Sequence, residues 1–116
     1  MIKHALDTIT AALREGGITA TYDPPEIHPP GAWISARRLD RSVLVGSTAV
    51  VVDIFLIARD VGIPNAIMVL DDLLERALEV ADRNVWEIES TALDETVTLP
   101  HGGGPLPAYR LTIIYE

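Results

Sequence analysis

The apolar positions of this chain change period several times, and each change marks an element. Between residues 2 and 15 they fall at Ile2, Ala5, Leu6, Ile9, Ala12 and Leu13, the stripe of an amphipathic helix. Gly16 and Gly17 follow, and glycine is favoured where a helix ends in a left-handed turn. "ITATY" (18–22) alternates and is β-branched, which predicts a short strand. "DPPEIHPPG" (23–31) holds four prolines in nine residues, so it reads as a stiff, extended loop. "AWISARR" (32–38) predicts a second strand, and residues 43–58 a long third one. In "RDVGIPNA" Gly62 and Pro64 turn the chain into a helix over 65–83. Its apolar face is Ala66, Leu70, Leu73, Leu74, Ala77, Leu78 and Ala81, with Asp71, Asp72, Glu75, Glu79 and Asp82 mostly opposite. "VWEIESTAL" (85–93) and "AYRLTIIYE" (108–116) alternate again and are joined by a loop containing His101.

The order α-β-β-β-α-β-β predicts one α+β domain over residues 1–116. Its sheet is mixed or antiparallel, of four to five strands, with two helices packed on one face. The two faces of the long third strand then raise a question. Leu44, Val50, Val52, Ile54 and Leu56 form one face, and Val45, Val51, Phe55 and Ile57 belong to the other. Both are apolar, yet two helices cover only one. The second face is either an interface or lies under a loop such as 23–31. In the last two strands Trp86, Ile88 and Ala92 should share a buried face, leaving Glu87, Glu89 and Thr91 on a wet one.

Composition narrows the function classes. The chain has 116 residues, 48% of them hydrophobic, and no cysteine, which removes disulfides, thiolate metal sites and a cysteine nucleophile. No run is long and apolar enough for a membrane span, and the first residues carry no targeting signature, so a soluble intracellular protein is expected. Net charge is −8, split as −1 over residues 1–60 and −7 over 61–116. Such a chain is poorly suited to gripping nucleic-acid phosphates. Arg37, Arg38 and Arg41, interrupted by Asp40, form the one basic cluster and read as a solvated strand end and turn.

"LPHGGGPLPAY" (99–109) has the form of the oxyanion-hole segment of esterases. The nucleophile that such a hole serves is missing. There is no G-x-S-x-G elbow, and the twelve residues after Gly104 include no Ser, His, Asp or Cys. The expectation is therefore a flexible hairpin tip, with Pro105 and Pro107 keeping the approach to the final strand from pairing. His4, His28 and His101 are far apart in sequence and lack metal-ligand spacing. No enzyme activity, metal or cofactor is expected.

The layout as a whole resembles the tail terminator proteins of long-tailed phages, particularly those with flexible non-contractile tails. The resemblance is carried by the short first helix ending in "REGGI" and by the proline stretch "YDPPEIHPPGAWI". It continues through "DIFLIARDVGIPNAIMVLDDLLERAL" to the closing hairpin. It implies a structural virion protein of the tail or neck, assembled in the host cytoplasm. Such a protein forms a homo-oligomeric ring, hexameric by the resemblance, that caps the tail tube. Its partners would be other copies of itself, the major tail tube protein and the head-tail connector. DNA would pass through without being tightly held, which suits an acidic wall. Val45, Val51, Phe55 and Ile57, with Arg37, Arg38, Arg41 and the loop residues His101, Gly102, Gly103 and Gly104, are the candidate ring contacts. Glu87 and Glu89 are the candidate acidic bore. The alternatives are another neck or tail-completion protein, or a small non-viral intracellular binding domain.

Overall fold

The computed structural model describes residues 1–41 and 46–116. Two helices and a five-stranded mixed sheet follow one another in the expected α-β-β-β-α-β-β order. They are α1 (Ile2–Glu15), β1 (Ala20–Thr21), β2 (Gly31–Arg41), β3 (Thr48–Ile57), α2 (Ile63–Arg83), β4 (Glu87–Thr98) and β5 (Pro105–Tyr115). The sheet order is β1-β2-β3-β5-β4, in which only the short β1–β2 pairing is parallel. Strand β5 is antiparallel to both its neighbours, so β3 and β4 run the same way with β5 between them. Helix α2 makes the crossover that such a pair requires. Among the described residues, no helix is long and apolar enough to cross a membrane.

Both helices cover one face of the sheet, the inner face. Ala5, Ile9 and Leu13 of α1 and Ala66, Leu70, Leu73, Ala77 and Val80 of α2 are buried there. They meet Ala32, Ile34, Val50, Val52, Ile54, Leu56, Leu111 and Ile113 of the sheet. The stripe of α2 centres on these residues, and Leu74 and Leu78 flank it half-buried. The helices approach each other at Gly16. Its φ is an ordinary −77°, but a Cβ there would overlap Cγ2 of Val80. Packing, not backbone conformation, is what calls for glycine at that position.

Each helix ends in the same device, a Schellman turn with its left-handed residue just past the helix. After α1, Ile18 N–H donates to Leu13 O (3.0 Å), Gly17 N–H donates to Arg14 O (3.1 Å), and Gly17 has φ +86°. After α2, Trp86 N–H donates to Ala81 O (2.9 Å), Val85 N–H donates to Asp82 O (3.3 Å), and Val85 has φ +56°. Glycine adopts this conformation freely, whereas a residue with a Cβ pays about 1–2 kcal/mol for it.

Several boundaries differ from expectation. Strand β4 runs on to Thr98, and β5 begins at Pro105, where Thr98 and Thr96 pair with Pro105 and Pro107. The prolines are tolerated because their missing N–H groups face the β3 side, at the end of that strand. There Pro107 O accepts from Ala58 N–H (3.0 Å). The hairpin tip is therefore short. Gly102, Gly103 and Gly104 form it, with φ of +93°, +96° and +70°, a run that only glycine adopts without strain. Loop 23–31 is not simply extended, since Pro24–Glu26 make a 3-10 turn.

Register shifts, between Ala36 and Arg38 and between Ile88 and Ser90, rearrange the faces. Each inserts one residue opposite a regular partner strand, so the alternation beyond it is inverted. Ile88 pairs with inner-face Ile113, but Ala92 pairs with Arg110 on the outer face, so the expected face shared by Trp86, Ile88 and Ala92 is broken. A third shift, between Ala92 and Glu95, brings Glu95 opposite Ala108.

Candidate functional site

The outer face is closed largely by the chain itself. At one end Ile57 packs in a second small core with Ile27 of the proline loop, Val97, Leu99, Leu106 and Ala108. Beside it Phe55 is half-buried and stacks on Trp33, ring centroids 5.1 Å apart. In the middle Asp53, 7% exposed, accepts from Arg37 Nε (2.9 Å) and Thr112 Oγ1 (2.7 Å). Farther along, Arg38 reaches Asp40 (3.1 Å) on its own strand and Glu89 (3.3 Å) of β4. Strands β3 and β5 lie between β2 and β4, so the second of these pairs crosses the face near the row Val51–Ile114. Arg110 pairs with Glu95 (3.2 Å).

Of the two alternatives for this face, the structure shows cover by the 23–31 loop at the Ile57 end, where Ile27 packs. Val51 and Ile57 have no exposed surface within the single chain, and Phe55 keeps only part of its own. Val45 lies outside the described residues. Arg37 and Arg38 lie exposed toward the end of β2, and the register shift at Arg37 lets both reach outer-face carboxylates. The hydrogen bond to Asp40, followed by its charge and that of Glu89, holds the Arg38 guanidinium above its ordinary pKa. Arg41 is exposed at the end of β2, and Glu87 is exposed at the start of β4. Glu89 is engaged with Arg38.

The fold also brings together two histidines that are remote in sequence. His28 and His101 stack with ring centroids 6.5 Å apart, and His101 Nε2 lies 3.2 Å from Ile27 O. The proline and glycine loops therefore touch each other. Gly102, Gly103 and Gly104 are exposed, with open space where their Cβ atoms would be. Among the described residues, no group of three or more His, Asp or Glu side chains is placed to hold a metal ion.

The surface that sequence reasoning missed lies at the start of α2. Ile63, Ile67 and Leu93 are 76%, 44% and 61% exposed and line one groove, about 380 Å³ in volume, with Ala66, Pro107 and Tyr109 among its walls. Met68 and Val61, 71% and 48% exposed, adjoin these residues in sequence. The sequence signal was weak: Ile63, seven residues before Leu70, continues its stripe, and Ile67 lines up with the flanking Leu74 and Leu78, so spacing alone does not mark either as exposed. Tyr109 donates to Asp71 Oδ1 (3.3 Å) at this groove, and burial, with the Asp71 charge beside it, raises the tyrosine pKa.

Comparison with known proteins returns no match: no family profile, no curated protein and no solved structure.

Proposed function

We propose that this chain is a structural subunit of a phage tail, a tail terminator whose ring caps the tail tube and joins it to the head connector. The observation that carries the assembly part of this reading is the groove at the start of α2. A chain whose two cores are otherwise closed leaves Ile63, Ile67 and Leu93 together in water. Contiguous exposed apolar surface of this kind marks an association site. The virion part rests on the overall layout, namely the first helix ending in "REGGI", the proline stretch and the closing hairpin.

The charge balance agrees with that role. Net charge is −8, and the basic residues Arg37, Arg38 and Arg110 are spent on carboxylates of the same chain. A wall of this kind repels phosphate, so DNA passes without being retained by counterion release. The reading is non-catalytic, needs no cofactor, and has other copies of the chain, the tail tube protein and the connector as partners. Light scattering across a concentration series tests it. The expected mass is that of a closed ring, near six copies of the 12.6 kDa chain. A monomer at every concentration overturns it.

A further inference from the structure

Val85 is the one described non-glycine residue with positive φ, and it is 88% exposed. The same turn closes α1 with Gly17, so the chain itself shows which residue this geometry favours. A β-branched side chain in a left-handed conformation carries a steric cost, and at this exposure no contact inside the chain offsets it. What it offers lies outside the chain.

We propose that Val85 is the knob of a head-to-tail contact and enters the groove of Ile63, Ile67 and Leu93 on the next copy of this chain. The inference rests on the ring reading and specifies its contact. Val85 follows the last turn of α2 and the groove flanks its first. By the rise of a 21-residue helix the two are roughly 30 Å apart. Two different apolar surfaces at opposite ends of one element can meet head to tail, the kind of contact that closes into a ring. A two-fold contact could join the same surfaces only reciprocally, both pairs closing a single dimer, and could not continue into a ring. One opposite-charge pair is available: exposed Arg83, two residues before the knob, has no ion pair among the described residues, and neither does Asp60 on the groove wall, while Asp82 and Glu87 beside the knob are likewise unpaired.

The chain has no cysteine, so an introduced pair reports its own contact. Val85→Cys and Ile67→Cys chains are mixed and oxidised, alongside each alone. The expected product is a disulfide dimer containing one of each, at least tenfold above either chain alone, and the double variant should give a ladder of covalent oligomers. Val85→Gly is read in parallel, because glycine suits the turn and the chain folds. Its denaturation midpoint when dissociated should rise, while the concentration for half-assembly should increase at least tenfold. An assembled wild type with no mixed disulfide, or with Val85→Gly assembling normally, overturns the inference and leaves the ring reading standing. Efficient crosslinking of Val85→Cys alone, or a double variant that stops at a covalent dimer, replaces the head-to-tail contact with a two-fold one. A wild type that is monomeric throughout overturns the ring reading itself, and this contact with it.

Discussion

Asp53 shows how unequal the two ends of one ion pair are. Its carboxylate is buried between Arg37 and Thr112, while the Arg37 side chain is 32% exposed and can turn toward water. Removing the arginine leaves a buried charge with one hydroxyl, and breaking such a pair costs about 3–5 kcal/mol. Removing the carboxylate frees a cation that solvent can recover, a loss of roughly 1–3 kcal/mol. Arg37→Ala should therefore destabilise the chain more than Asp53→Asn in urea denaturation. The reverse order would mean that Arg37, not Asp53, depends on the pair.

Helix α2 combines two surfaces that its composition alone does not separate. Leu70 is 2% exposed and faces the sheet, whereas Ile67, one turn earlier, is 44% exposed on the groove. Leu70→Ala should cost about 2–5 kcal/mol by emptying core volume. Ile67→Ala should stay within about 0.5 kcal/mol for the dissociated chain while weakening assembly, since the contact proposed for it is with another molecule. Denaturation of dilute protein checks the first effect and light scattering the second. Equal losses of chain stability would place Ile67 in the core. At the sheet margin, β4 carries Glu87, Glu89, Asp94 and Glu95 and two register shifts. Charge and bulges of this sort blunt an edge against pairing with another strand.

At the scale of the whole molecule, the acidic excess becomes a property of any ring built from it. Glu87 is exposed and forms no ion pair among the described residues, so it can be reversed without breaking the Arg38–Glu89 pair. If it lines the bore, Glu87→Lys should leave the oligomer intact and add duplex DNA binding at low salt that fades as salt rises. Fluorescence anisotropy with a labelled duplex measures this. A variant ring that gains no binding places Glu87 on the outside.

The α+β order, both helices and the inner core were legible because each rests on a local period that burial of one face imposes. Ile9 and Leu13, or Val52 and Ile54, declare their common face from spacing alone. The outer face was not legible in the same way. Whether Ile57 is covered depends on Ile27 and Leu99, contributed by loops remote from it in sequence. Whether Arg38 and Glu89 meet across the sheet depends on extra residues that only strand pairing reveals. The proline strand start at 105–107 likewise turns on which neighbour each missing N–H faces. Val85 is the sharpest case: nothing in "RNVWE" distinguishes it from a strand residue. Periodicity records which face of an element is apolar, while tertiary contacts decide what covers that face and what backbone geometry each residue must accept.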